Sequence, residues 1–124
     1  MLAATRRLVA VDRGRVLEAM RRVLEAIHLF KTRPDIVVPL LQDFVGCADR
    51  GAVARLRDHY APVFPALPRP TLAAGLPEIR ALFAGRYPAA RDLREADIVD
   101  ASLIEEIARS GFVEELYGGK VGAS

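Results

Sequence analysis

Few side chains in this sequence are of the types that carry out acid–base or metal chemistry, and their spacing keeps them apart. His28 follows Glu25 by about one helical turn, as a general base held by a carboxylate would. His59 has no Cys or His three or four residues away, so the usual helical spacing of metal ligands is missing. We therefore interpret both histidines as residues of helix surfaces.

Cys47 and Ser102 could act as nucleophiles only if a neighbouring base or cation activated them. Asp49 lies close to Cys47 in sequence and disfavours a thiolate, so we interpret Cys47 as a small buried side chain. Ser102 follows Asp100 at a helix start, where local hydrogen bonding explains it. The sequence thus predicts no catalytic residue, no cofactor and no metal ligand. A single cysteine also excludes an intramolecular disulfide.

Charged residues are balanced, with 18 Lys and Arg against 16 Asp and Glu and a net charge of +2. Six arginines nevertheless crowd the first 22 residues: Arg6, Arg7, Arg13, Arg15, Arg21 and Arg22. They could contact phosphates, but no aromatic stacking residue or helix-turn-helix pattern accompanies them. We favour a solvated helix face over a nucleic-acid site.

The chain has no apolar run of about 18 residues, so membrane insertion is not expected. Its first 15 residues lack the basic, apolar and small-residue regions of a signal peptide. For the chain as given we therefore expect a cytoplasmic location.

The elements that would position these side chains are helices. Residues 13–32 place apolar side chains three and four residues apart, which predicts a long helix with one wide apolar face. We label the helix predicted over residues 13–32 α2 and call this face the α2 stripe; it consists of Val16, Leu17, Met20, Val23, Leu24 and Ile27.

Proline, glycine and capping residues divide the rest of the chain into shorter helices. We predict helices over about 34–47, 50–61 and 77–86, another after Asp100, and a short one over 112–117. Apolar residues expected to face inward include Val37, Val38, Leu41, Phe44, Val45, Val53, Leu56, Tyr60, Ile79, Leu82, Phe83, Leu103, Ile104 and Ile107.

The fold class that follows is all-α, in one domain of five or six helices. Residues 2–11 are the one stretch compatible with a short N-terminal strand. Residues 62–77 contain five prolines and predict an extended connector that lies flat on other elements. Residues 118–124 are rich in glycine and predict a frayed tail.

Short motifs follow one another in a definite order along the chain. They comprise Ala4-Thr5-Arg6 with Leu8, Val9 and Ala10; Leu24-Glu25-Ala26-Ile27; Gly75-Leu76 with Ile79; Tyr87-Pro88 with Ala90; and Asp100, Ser102, Leu103, Ile104, Glu106, Ile107, Ser110, Gly111 and Phe112. In this order they resemble the C-terminal helical portion of ABC-importer substrate-binding proteins. The type is the nitrate, sulfonate, taurine and thiamine-pyrimidine-precursor group.

The resemblance implies a helical fragment of a larger, two-lobed α/β fold whose function is transport. The whole parent would be periplasmic or at the cell surface, and would carry a small anion or nitrogen heterocycle to a membrane permease. The α/β lobes are absent from this chain, so no ligand-binding residue is carried over. We expect no catalysis and no high-affinity ligand binding by the fragment alone.

Helices that evolved to cover a missing lobe must bury their apolar faces in another way. We therefore predict a homodimer, or contact with the missing lobe, through the α2 stripe and the N-terminal segment. The alternative is a free-standing helical module that binds a partner helix or a small apolar ligand. An arginine-dependent nucleic-acid binder ranks below both, and an enzyme ranks last.

Overall fold

The computed structural model describes residues 2–118, and every regular element in that range is helical. The seven α-helices are α1 (Arg6–Val11), α2 (Arg13–Thr32), α3 (Pro34–Val45), α4 (Arg50–Tyr60), α5 (Leu76–Phe83), α6 (Ser102–Arg109) and α7 (Phe112–Leu116). Two short 3₁₀ helices, Pro88–Asp92 and Glu95–Asp97, lie between α5 and α6. The all-α class is confirmed, and the two additional turns of structure fall where the sequence indicated only a polar turn.

The N-terminal segment forms α1, so the expectation of a strand within residues 2–11 is wrong. Thr5 caps the helix, because its hydroxyl accepts a hydrogen bond from the backbone N–H of Leu8 at 3.1 Å. The Val9 N–H donates to the Thr5 carbonyl, also at 3.1 Å. A helix of six residues is too short for its apolar residues to display a helical period, which left the sequence pattern ambiguous.

The main core lies between α2 and the C-terminal helices α6 and α7. It is built from Leu17, Leu24, Leu103, Ile104, Ile107 and Val113. Ile107 is fully buried and Leu24 is 2% exposed, so the side of α2 that carries Leu24 is closed off by the chain itself. The prediction that Leu103, Ile104 and Ile107 face inward on α6 is confirmed.

The α3–α4 hairpin is joined to the end of α2 by a buried arginine. Arg57 is 8% exposed, and its guanidinium donates to the carbonyl of Phe30 at 2.7 Å and to the carbonyl of Lys31. Both carbonyls belong to the last turn of α2, where acceptors have no partner within the helix. Asp58 balances the charge at 2.7 Å. The hairpin is therefore held in place by polar contacts as well as by Val37, Val38 and Val53, which are buried.

The proline-rich connector after α4 packs on the rest of the molecule, as predicted. Ala66 and Leu67 contact the main core. Farther on, the Leu72 N–H donates to a Glu95 carboxylate oxygen at 2.5 Å, and this hydrogen bond lowers the pKa of Glu95. Arg80 of α5 holds the segment after the first 3₁₀ helix, because its Nε donates to the Leu93 carbonyl at 2.8 Å.

Within residues 2–118, no helix combines the length and apolarity needed to cross a membrane. The frayed tail predicted for residues 118–124 lies outside the described residues apart from Gly118.

Candidate functional site

The histidine singled out by its spacing does not meet its carboxylate. Glu25 accepts a hydrogen bond from Arg22 at 2.9 Å, whereas the His28 ring packs edge-on against Tyr117 with ring centroids 4.5 Å apart. Within the described chain, His28 Nδ1 and the Tyr117 hydroxyl are buried without a hydrogen-bond partner. Among the described residues neither atom is hydrogen-bonded to a carboxylate or a nucleophile, so the geometry of a general base is not assembled.

The other candidate side chains also have local structural roles. His59 packs edge-on against its neighbour Tyr60, at 5.1 Å between ring centroids. Cys47 is half-buried, and its Sγ lies 3.9 Å from the Asp49 carbonyl. The Ser102 hydroxyl and the Ser102 backbone N–H, the latter at 2.9 Å, both interact with the Asp100 carboxylate and lower its pKa. Among residues 2–118 no three His, Cys, Asp or Glu side chains are grouped as metal ligands would be.

Most of the N-terminal arginines contact other groups of the chain at its surface. The Arg6 guanidinium donates to the Asp97 carbonyl at 2.5 Å, and Arg13 pairs with Glu106 at 2.8 Å. Three further arginines make contacts within the chain: Arg15 pairs with Asp12, Arg22 pairs with Glu18 and Glu25, and Arg21 lies over the Phe112 ring. Contacts with the chain's own acids and carbonyls compete with phosphate for these guanidinium groups.

The α2 stripe has an intramolecular partner. Leu17 and Leu24 are core residues, while Val16, Met20 and Ile27 pack against the same core from partly buried positions. Val23 is the most exposed of the six, at 38%. We predicted an intermolecular contact for the stripe because the resemblance implies a missing lobe, and the sequence does not show that α6 and α7 fold back onto α2. Homodimerisation itself remains a prediction, but five of these six side chains pack within the chain.

A different helix presents apolar side chains to solvent. Ile36, Leu40 and Phe44 follow one another at intervals of four residues on α3 and are 38%, 63% and 88% exposed. We call these three residues the α3 outer stripe. Positions four residues apart lie on one face of a helix. The face of α3 that packs against the rest of the chain carries Val37 and Val38, which are 8% and 3% exposed.

The start of α3 is fixed by the sequence around it. Pro34 occupies the first turn, where its missing N–H has no consequence. Arg33 donates twice to the carboxylate of Asp35, at 2.9 and 2.7 Å, and this pairing lowers the pKa of Asp35.

The end of α3 is fixed as well. Gly46 adopts φ +65°, and the Cys47 N–H donates back to the Gln42 carbonyl at 3.1 Å, which closes the helix in a Schellman motif. The Gln42 side chain donates to the Ala48 carbonyl at 3.0 Å, and Asp49 then caps α4 through the Ala52 N–H at 2.9 Å. The stripe is consequently displayed on a helix with a defined beginning and end.

The surface beside the stripe is open rather than enclosed. A shallow depression of about 470 Å³ is lined by Pro39, Gln42, Asp43, Gly46, Cys47 and Ala48. Small-molecule sites bury most of their ligand in a concave, largely apolar pocket. An open depression next to a row of exposed apolar side chains is instead suited to an extended partner surface.

Sequence reasoning missed this surface because it assigned only one face to α3. Phe44 was predicted to face inward but is the most exposed large apolar side chain among those described. Val45, Leu56, Tyr60, Leu82 and Phe83 were also predicted to face inward and are exposed. The signal was present: besides Val37 and Val38, α3 carries Ile36, Leu40 and Phe44, so its apolar surface is wider than one buried face. A helix with such a wide apolar surface is expected to be covered by more than one neighbour.

Comparisons of this chain with protein-family models, with curated proteins and with solved structures found no match.

Proposed function

We propose that this chain is a non-catalytic protein-association module whose binding surface is the α3 outer stripe. The observation that carries the proposal is the 88% exposure of Phe44 next to Leu40, 63% exposed, on a helix capped at both ends. Aromatic anchors flanked by aliphatic side chains are typical of the centres of protein interfaces.

The size of the stripe agrees with such a role. From their exposed fractions, Ile36, Leu40 and Phe44 present apolar surface on the order of 400 Å². Removing it from water would contribute roughly 10 kcal/mol before the entropic cost of association, which is of similar size. The balance supports reversible binding to another folded surface.

The charges around the stripe favour a polypeptide partner over a phosphate-bearing one. Asp35 and Asp43 lie on α3 itself, and Arg33, the nearest cation in sequence, is paired with Asp35. Nucleic acids and anionic membranes attract clusters of Lys and Arg instead. A helix or a sheet face of another protein could bury the exposed side chains of the α3 outer stripe.

The direct test places a photo-crosslinking phenylalanine analogue at position 44 in the native host. A matched control carries the analogue at Leu82, which is 76% exposed on α5. We expect one discrete adduct from position 44, identified by peptide mass, that disappears when Leu40→Glu is added. Absence of an adduct, or equal adducts from both positions, would contradict the proposal.

A second candidate function is the one implied by the resemblance to substrate-binding proteins of ABC importers. It is favoured by the spread of exposed apolar side chains over several helices, including Val11 in α1 at 78% and Leu82 in α5 at 76%. Helices that cover a neighbouring α/β lobe would have several such faces. Under this proposal the partner is that lobe, and the complete protein is exported and carries a small anion or nitrogen heterocycle to a permease.

The second candidate is tested by coexpressing the chain with the coding region that precedes it in the genome. We expect an α/β polypeptide that copurifies with the chain and protects α1, α3 and α5 together from hydrogen exchange. Protection confined to α3 would favour the association module instead.

A further inference from the structure

We propose that the partner of the α3 outer stripe is a second copy of this chain, with the two α3 helices packed antiparallel about a two-fold axis at Leu40. This inference rests on the proposed association function and identifies its partner. The arguments are the symmetry of the stripe, the distribution of charge along α3 and the area that would be buried.

The stripe is self-complementary when one helix is reversed. Its three residues are evenly spaced, so a two-fold axis at Leu40 sets Leu40 against its own copy. Each Ile36 then faces the Phe44 of the other helix. A medium β-branched side chain opposite a large aromatic one fills the space at both ends equally, as an isologous interface requires.

The charges on α3 distinguish the antiparallel from the parallel arrangement. Asp43 is exposed near the C-terminal end and forms no ion pair among the described residues. In an antiparallel pair it approaches the N-terminal turn of the other helix, where the positive end of the helix dipole and the Arg33–Asp35 ion pair lie. A parallel pair would set the two Asp43 carboxylates side by side and align the helix dipoles.

The area predicts a weak dimer. Two stripes would bury on the order of 800 Å² together, which is at the low end of specific interfaces before the surrounding rim is included. Dissociation constants in the micromolar range are expected for such contacts. The protein should therefore be a monomer when dilute and a dimer at concentrations of tens to hundreds of micromolar.

Sedimentation equilibrium tests the association. Wild-type protein is expected to show a concentration-dependent dimer, and Leu40→Glu is expected to remain a monomer over the same range. Leu82→Glu is the matched control, because it puts the same charge on an exposed leucine of another helix and should leave the dimer intact. A wild-type protein that stays monomeric at several hundred micromolar overturns the inference.

Cysteine crosslinking tests the geometry without a destabilising charge. In a Cys47→Ser background, a short bismaleimide should link Leu40→Cys to itself. Ile36→Cys and Phe44→Cys should each react poorly alone but link efficiently when mixed. Efficient self-linkage of Ile36→Cys and of Phe44→Cys, with no linkage on mixing, would show a parallel pair and overturn the antiparallel arrangement.

The outcomes separate this inference from the proposed function. A photo-adduct from position 44 with the mass of two copies supports both. An adduct with a different, identified polypeptide, together with a monomeric purified protein, supports the association function and overturns the second-copy inference. Absence of any adduct from position 44 contradicts the proposed function, whatever the sedimentation result.

Discussion

At the scale of single residues, we expect replacement of Arg57 to cause the largest loss of stability. It satisfies the carbonyls of Phe30 and Lys31 from a buried position, so its loss leaves the end of α2 without partners. We expect Arg57→Met to lower the free energy of unfolding by about 2–4 kcal/mol. Urea denaturation followed by circular dichroism measures this change.

Arg55 provides the matched control on the same helix. It is exposed and forms no ion pair within residues 2–118, so Arg55→Met should change the free energy of unfolding by less than about 0.5 kcal/mol. Equal losses in the two variants would mean that helical propensity or solubility, rather than the contacts of Arg57, sets the effect.

Replacement of Tyr117 is expected to stabilise the protein, in contrast to replacement of Arg57. Its hydroxyl is buried without a partner among the described residues, which costs free energy relative to water. We expect Tyr117→Phe to raise the free energy of unfolding by about 1 kcal/mol at neutral pH. Tyr87→Phe, at an exposed position, should have no effect in the same urea titration.

Burial also raises the pKa of Tyr117 above its ordinary value of 10. The folded state then holds the phenolic proton more tightly than the unfolded state does. This contribution to stability is complete below pH 10 and is lost as the pH rises through the folded pKa. Urea titrations at about pH 8 and above about pH 10 should show a smaller alkaline loss in Tyr117→Phe than in wild type.

The sequence predicted residue environments unevenly. Leu24 and Ile107 could be placed in the core because their helices each have one dominant apolar face. The exposure of Phe44 could not be derived, because a helix whose apolar surface is wider than one face does not indicate which part of it its own chain covers. The burial of Arg57 had no sequence signal, since it depends on the approach of α4 to the end of α2.

At the scale of elements, alanine substitutions at two glycines are expected to change the free energy of unfolding in opposite directions. Gly46 has φ +65°, where a side chain is strained even though a methyl group added there would meet no atom within 4 Å beyond its chain neighbours. Gly14 lies in α2 with equally open surroundings. We expect Gly46→Ala to lower the free energy of unfolding by about 1 kcal/mol and Gly14→Ala to raise it by about 0.5 kcal/mol. Urea denaturation of both variants checks the signs, and a loss of equal size in both would contradict the assigned role of Gly46.

Helix boundaries could be predicted where a local stop or start signal exists. The ends of α2, α3 and α4 agree with the sequence to within about two residues, because Asp12, Pro34, Gly46 and Asp49 act through local hydrogen bonds and backbone preferences. The identity of α1 was missed, since six residues carry no clear period. The partner of the α2 stripe was missed because α6 and α7 lie far along the chain from it, and contacts at such a separation depend on the tertiary arrangement.

At the scale of the whole molecule, the charge distribution argues against a polyanion-binding role. The net charge is only +2, and five of the six N-terminal arginines contact an acid, a carbonyl or an aromatic ring of the chain. Electrostatic binding to phosphates increases with the number of cations that can be neutralised together. Arg7 alone among these six has no such contact within the described residues.

The corresponding prediction concerns heparin, which stands in for a phosphate backbone. Because the contacting arginines are shared with internal partners, we expect elution at low ionic strength and a shallow dependence of binding on salt. Replacing Arg6, Arg7, Arg13 and Arg15 by Gln should change the elution little more than a control with Arg50 and Arg55 replaced on α4. Elution at high salt that is lost in the first variant and kept in the control would restore the nucleic-acid hypothesis, since internal pairing would then have failed to compete with the polyanion.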